Sequence, residues 1–287
     1  MKVKIWGCRG SLPAPGYQTL KYGGESTCLE VSSETGDRII IDSGTGIRKF
    51  GQEVMGEKGE VSIRLLLTHA HWDHLSGFPF FIPGYLPRFT ITVCGGPWPQ
   101  LSVRNFFARQ MEAPYFPVKF SDMKAKFHFG CSCNQGYCEH ILPNSDRSIL
   151  CHSIPLNHPN GGYGFKLVEG DISFVFLTDN EIRHSHEEGK TREEYVAFCR
   201  NADLLFHDAQ YTEEEYERKK GWGHSTYNDA VQLALDAGVK RLGLFHHDPD
   251  RTDEDIEKWT TWCQELIHKA GSSMECFACA DGMMVKL

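Results

Sequence analysis

Three imidazoles and a carboxylate, His69, His71, Asp73 and His74, fall within the run Thr68-His69-Ala70-His71-Trp72-Asp73-His74. Neutral imidazole and carboxylate are the ligands that Zn²⁺ and its first-row neighbours take. So many polar groups on so short an arc are costly to fold unless something pairs them. An apolar segment over 61–67, with Ile63, Leu65, Leu66 and Leu67, leads directly into the run. The ligands therefore sit where a buried strand opens into a loop. From an extended backbone His69 and His71 point the same way.

Further along the chain, single residues have the same chemistry. His158 precedes Pro159, which holds it extended, and the Gly161-Gly162 turn follows. Asp179 ends the apolar strand 172–177, where a carboxylate is poorly solvated without a cation. In the strand 240–246, alternation puts His246 on the face of Leu242 and Leu244, and His247 on the other. Periodicity leaves the choice between those two histidines open. A separate cluster, Cys131, Cys133, Cys138 and His140, has the ligand types of a Cys₃His structural zinc site, with Cys151 as an alternative fourth ligand. Its CxC spacing is tighter than the usual gap, and inert surface thiols are the competing reading.

The pattern HxHxDH over His69–His74 resembles the signature of the metallo-β-lactamase-fold hydrolases. Trp6-Gly7-Cys8-Arg9-Gly10-Ser11 and Ile41-Asp42-Ser43-Gly44-Thr45-Gly46 are similar to its ribonuclease Z-like and phosphodiesterase branch. The resemblance covers nearly the whole chain and implies a four-layer αββα sandwich with two divalent metal ions at one edge. It assigns His69, His71 and His158 to one ion, and Asp73, His74 and His246 to the other, with Asp179 bridging. It thereby selects His246 over His247. Zinc is the expected metal, with manganese or iron as alternatives that affinity order and cellular supply decide.

Two more segments match that branch. Gly223-His224-Ser225-Thr226 resembles its HST motif, and Phe206-His207-Asp208-Ala209 its acidic HEAT-like segment, with Asp208 in place of glutamate. The resemblance implies that Asp208 orients His224, which serves as a proton donor at the phosphate or leaving group. His184, His186 and His207 are read as structural or surface residues. The implied reaction is hydrolysis by a hydroxide shared between two ions roughly 3.5–4 Å apart. A small phosphodiester, such as a cyclic nucleotide or cyclic phosphate, is the expected substrate, with Gly161, Gly162 and Tyr163 lining its pocket. The alternatives are a tRNA 3′-processing endonuclease of ribonuclease Z type, and a non-catalytic metal- or ligand-binding sensor.

The elements that must position these groups read as a layered α/β domain. Expected strands cover 3–6, 27–32, 38–42, 63–67, 89–93, 148–154, 164–168, 172–177 and 204–207. Helices are expected over 192–200, 226–236 and 253–269, with Ser225 or Thr226 and Thr252 as N-caps. Residues 1–287 are read as one domain, with 95–150 as an irregular insertion that is helical only around 105–111 and carries the Cys-rich loop 131–140. That aromatic excursion could support a homodimer.

Composition bounds the function. The 287 residues are 40% apolar, enough for a large core, and no stretch approaches the roughly 20 apolar residues of a membrane helix. With no signal-peptide pattern and eleven cysteines, an odd number, the expectation is a cytoplasmic protein with reduced thiols. A net charge of −8 disfavours nucleic acid as a partner, because phosphate backbones bind through basic surfaces.

Overall fold

A computed structural model describes residues 1–34, 36–95, 100–130, 137–140 and 149–287. Its first sheet is built from β1 (Lys2–Gly7), β2 (Cys28–Ser32), β3 (Arg38–Ile41), β4 (Val61–Leu66), β5 (Phe89–Cys94) and β6 (Lys126–Phe129). The second holds β7 (Tyr137–His140), β8 (Ile149–Pro155), β9 (Tyr163–Glu169), β10 (Ile172–Leu177), β11 (Leu204–Asp208), β12 (Arg241–Phe245) and β13 (Glu275–Ala278). The last strand, β14 (Met284–Lys286), returns to the first sheet beside β1, so among the described residues each sheet has seven strands. The helices are α1 (Ile47–Val54), α2 (Trp72–Leu75), α3 (Gln100–Gln110), α4 (Arg192–Cys199), α5 (Glu213–Lys219), α6 (Tyr227–Asp236) and α7 (Asp253–Lys269).

Strand alternation builds the layers. On β10, Phe174 and Phe176 enter the core between the sheets, together with Ile5, Val31, Ile41, Phe165 and Phe206. Their neighbours Val175 and Leu177 face outward and pack with Tyr195, Val231 and Ile267 from α4, α6 and α7. On the far side Phe50 and Val54 of α1 and Phe107 of α3 cover Leu65 and Ile91. The result is helix, sheet, sheet, helix, the αββα sandwich that the sequence implied. Helices α4, α5, α6 and α7 each begin with a threonine capping box, at Thr191, Thr212, Thr226 and Thr252. These threonines satisfy backbone N–H groups that no helical carbonyl reaches.

Strands β3, β4, β5 and β6 run parallel, as do β10, β11, β12 and β13. Parallel strands deliver their C-terminal ends to one edge, where open α/β sheets place their sites. Among the described residues of 95–150, α3 starts earlier than the expected 105–111 because Val103 and Phe107 are fully buried, and β6 and β7 add a strand to each sheet. Tyr163 opens β9 and packs in the core between the sheets.

Candidate metal centre

The ligand-type residues converge at the ends of those parallel strands. His69, His71, Asp73 and His74 follow β4, Asp179 follows β10, Asp208 ends β11 and His246 follows β12. His158, in the turn after β8, reaches the same edge from an antiparallel strand. Ligating atoms of His69, His71 and His158 lie within 4.8 Å of one another, and so do those of Asp73, His74, Asp179 and His246. The one-turn helix α2 separates the two sets: His71 is its extended N-cap, and the turn carries Asp73 and His74 away from His69 and His71.

Asp179 joins the two groups. Its Oδ1 lies 3.2 Å from His74 Nε2 and 3.1 Å from His246 Nε2, while its Oδ2 is 3.6 Å from both His69 Nε2 and His158 Nε2. Asp73 Oδ2 is 3.2 Å from the Nε2 atoms of His74 and His246. Asp179 and His246 both have left-handed backbones, with φ of 52° and 60°, and so does Asp42 at 63°. Such residues cost on the order of 1–3 kcal/mol each and persist where the surroundings hold them.

Hydrogen bonds set the imidazole tautomers. His158 Nδ1–H donates to the Gly223 carbonyl at 3.1 Å, leaving Nε2 as the bare nitrogen. His246 Nδ1–H donates to Gln210 Oε1 at 2.9 Å, and His74 Nδ1–H to Asp42 Oδ2 at 2.8 Å. Thr68 Oγ1–H donates to the same Asp42 oxygen at 2.7 Å and sits 3.1 Å from His69 Nδ1. The Ser11 N–H donates to Asp73 Oδ2 at 2.8 Å. Close packing completes the setting: a Cβ on Gly10 would lie 2.4 Å from His246 Nδ1, and one on Gly223 2.0 Å from His158 Nδ1.

This donor set fits divalent cations. His69 Nε2 and His74 Nε2 are buried without a hydrogen-bond partner, although each faces Asp179. An imidazole nitrogen that lacks a hydrogen-bond partner and stands beside a carboxylate in the interior is well suited to a cation. Burial pushes His158 down to about 3 and His69 well below its usual range, so both stay neutral. Burial also opposes charge on His246, but the Asp179 and Asp73 carboxylates overcome it and raise the ring to about 9. His74 is likewise raised, by Asp73, Asp179 and Asp42 against its burial. Without a cation, protons on His74 and His246 balance the carboxylates; a cation would take that place.

Asp208 and His224 meet as the sequence implied, with His224 Nδ1 2.7 Å from Asp208 Oδ2. The N–H groups of Gln210 and Ser225 hold Asp208 Oδ1 at 3.1 and 3.4 Å. Ligating atoms of His224, His158 and Asp179 lie within 4.8 Å of one another, so His224 looks onto both groups. His207 stays out of the centre, its Nδ1–H donating to the Asp208 carbonyl at 2.7 Å. His247 turns away too, its Nε2–H donating to the Cys279 carbonyl at 2.9 Å. His186 binds Glu181 at 3.2 Å, and His184 packs by His186. Gly161 and Gly162 form the turn that returns the chain to Thr68, with the Tyr163 N–H donating to the Thr68 carbonyl at 2.9 Å. Of the cysteine cluster, Cys131 and Cys133 lie outside the described residues, as do the side chains of Cys138 and His140.

Sequence reasoning missed several supporting residues. Asp42, Thr68 and Gln210 hold imidazoles, and the fully buried Glu181 holds the loop that presents His224. Its oxygens accept from the Tyr216 hydroxyl and the N–H groups of Gly221 and Gly223, all at 2.8 Å. Asp42 was visible only as part of the Ile41–Gly46 motif; Gln210 and Glu181 gave no signal of their own. Among the described residues no helix is long and apolar enough to cross a membrane.

Residues 37–247 match the family model described as "Beta-lactamase superfamily domain". The Ribonuclease Z of Haloferax volcanii is 52% identical over 251 residues, covering 74% of this chain and 75% of that one. The Ribonuclease Z of Porphyromonas gingivalis is 27% identical over 295 residues, covering 85% and 88%. Among solved structures, a diphosphatase from the PhnP family superposes with a TM-score of 0.66 at 15% identity, covering 100% of this chain and 97% of its own. That likeness is one of fold. With two-thirds or more of its length matched by the model and by these relatives, the chain belongs to the β-lactamase superfamily, as a metallo-β-lactamase-fold hydrolase.

Proposed function

We propose that the chain is a two-cation phosphodiesterase acting on a small phosphodiester, such as a cyclic nucleotide or cyclic phosphate. The observation that carries this reading is Asp179, which turns one oxygen to each ligand group while Asp208–His224 looks onto both. His69, His71 and His158 would hold one cation, and Asp73, His74 and His246 the other. When bound, divalent cations supply the Lewis acidity that makes water a nucleophile near neutral pH. Zinc suits the imidazole-rich donors, and manganese or iron would also fit.

The chain's own residues do the rest. Asp42, Gln210 and the Gly223 carbonyl fix three tautomers so that each Nε2 faces inward. Asp208 holds His224 by Nδ1, leaving Nε2 to pass a proton to the departing oxygen of the ester. Asp208 is itself locked by two backbone N–H groups, so His224 keeps one orientation. A small substrate is favoured over a long polyanion by the net charge of −8, which repels phosphate backbones. Location in the cytoplasm and assembly as a homodimer are part of the same reading.

A second reading, tRNA 3′ processing, is favoured by the printed names of the relatives. The deciding experiment measures metal content, then hydrolysis of bis-p-nitrophenyl phosphate, a cyclic nucleotide and a 3′-extended tRNA, with and without chelator. Two ions per chain and chelator-sensitive turnover of the small esters are expected. Cleavage of the tRNA alone would replace the first reading with the second. Two ions without turnover of any diester would make the chain a sensor or a hydrolase of other bonds.

A further inference from the structure

A carboxylate in the interior is costly unless its oxygens find donors, and Glu181, two residues beyond Asp179, is fully buried. Its Oε1 accepts from the Tyr216 hydroxyl and the Gly221 N–H, and its Oε2 from the Gly223 N–H, each at 2.8 Å. His186 Nε2 stands 3.2 Å from the same Oε2. Gly221 and Gly223 both have left-handed backbones, with φ of 87° and 94°, a conformation that glycine takes without strain. Turns that aim N–H groups inward form a concavity for an anion. Here the chain supplies the anion itself, and the loop before His224 is wound around it.

Gly223 passes the grip of Glu181 on in two directions. Its carbonyl accepts from His158 Nδ1–H at 3.1 Å, and the next residue in the chain is His224. Glu181 also holds the other side of His158, because its own N–H donates to the Asn157 carbonyl at 2.9 Å. The His158 and His224 rings stand 5.3 Å apart, centroid to centroid. Of these two rings Asp208 bonds only that of His224, whereas Glu181 is tied to the chain around both. A change that frees Gly223 therefore loosens a ligand-type histidine and the Asp208-bound histidine together.

We propose that Glu181 is a positioning residue that sets the metal ligand His158 and the proton donor His224 in register through Gly223. The kinetic consequence rests on the phosphodiesterase reading; the consequence for metal binding does not. Glu181→Gln keeps the size of the side chain but replaces an accepting oxygen with a donating amide. Zinc affinity, read by competition with a chromophoric chelator, should fall by about 10–100-fold, the range for residues that orient a ligand. At saturating zinc, kcat for bis-p-nitrophenyl phosphate should fall by about 10–100-fold with KM little changed, since misplacing a reacting group is felt in the chemical step. In chelator-treated protein, long-range proton–nitrogen spectra should show His158 protonated at Nδ1, and a mixture of tautomers in Glu181→Gln.

Glu181→Asp keeps the charge with a shorter reach, so it should recover part of both losses, and it carries the test if the glutamine variant does not fold. Arg183→Met is the control for stability alone. It removes the ion pairs of the same loop with Asp229 and Glu213, at 2.6 and 2.5 Å, and should lower Tm with zinc affinity and kcat unchanged. Zinc affinity and kcat at wild-type levels in Glu181→Gln would overturn the proposal. So would equal losses in Arg183→Met, which would make Glu181 a stabilising residue only. Wild-type protein that binds zinc and hydrolyses no diester would remove the phosphodiesterase reading, while the zinc affinities and spectra would still decide whether Glu181 sets His158.

Discussion

The two halves of the metal centre are built on different electrostatic terms. His69, His71 and His158 form a neutral set whose nearest carboxylate, Asp179, stands 3.6 Å off from both His69 and His158. Asp73, His74, Asp179 and His246 form a charged set with histidine–carboxylate distances of 3.1–3.2 Å. The charged set is entirely buried, whereas the neutral set includes the half-buried His71, 3.0 Å from His158 and 3.3 Å from the Asn160 amide. The charged set is held by a carboxylate and an amide, Asp42 and Gln210; the neutral set leans on a backbone carbonyl and on Thr68. The difference shows how one site can be anchored at one end and open at the other. The buried charges fix the floor, and the half-buried His71 marks the open end.

The strongest way to break this comparison is to remove the residue common to both sets. Asp179→Ala should empty both groups and take turnover to background, read by metal content and diester hydrolysis. Retention of two ions would show that the halves are independent. His224→Ala should lower kcat by about 10²–10⁴-fold with metal content unchanged, since its role is proton transfer. Loss of metal with normal turnover per bound ion would move His224 into the ligand set.

A supporting residue should have a smaller effect. Asp42→Asn should weaken metal binding by about 10–100-fold, the range for residues that orient a ligand. Because Asp42 reaches His74 directly and His69 through Thr68, both ions should be affected; loss of only one would sharpen the division. The pH dependence of stability tests the division without touching the ligand set. In chelator-treated protein, His246 is raised to about 9, so its contribution is complete below pH 6.5 and fades as pH rises through 9. His158, lowered to about 3, works in the opposite sense: stability falls as pH drops from 6.5 toward 3. Each arm should be on the order of a few kcal/mol. Chemical denaturation across pH should flatten on the alkaline side in His246→Gln and on the acid side in His158→Gln. A single common response would mean that the halves titrate together.

Legibility in the sequence followed the same division. Ligand types crowded into 69–74 can be read because their spacing is local, and α7 over 253–269 because its apolar face repeats at helical period. The start of α3 was not legible because nearby prolines and aromatics resemble a loop, while burial of Val103 and Phe107 holds the helix together from Gln100. The ring of Tyr163 joins the core between the sheets, a burial that its neighbouring glycines gave no sign of. Glu181 and Gln210 were invisible, since a single buried polar residue has no pattern.

By itself the sequence determined the strand alternation, the capped helices and the short arc of imidazole and carboxylate, because each depends on residues near one another in the chain. Tertiary structure alone decided the left-handed turns that aim Asp179 and His246; it also brings Asp208 to His224 and His246 rather than His247 to the centre, which the sequence carried only as a family resemblance. The loop at Gly221 and Gly223 meets the Glu181 carboxylate in the same way. Those outcomes join residues far apart in the chain, and their distances are set by how two sheets pack rather than by local spacing.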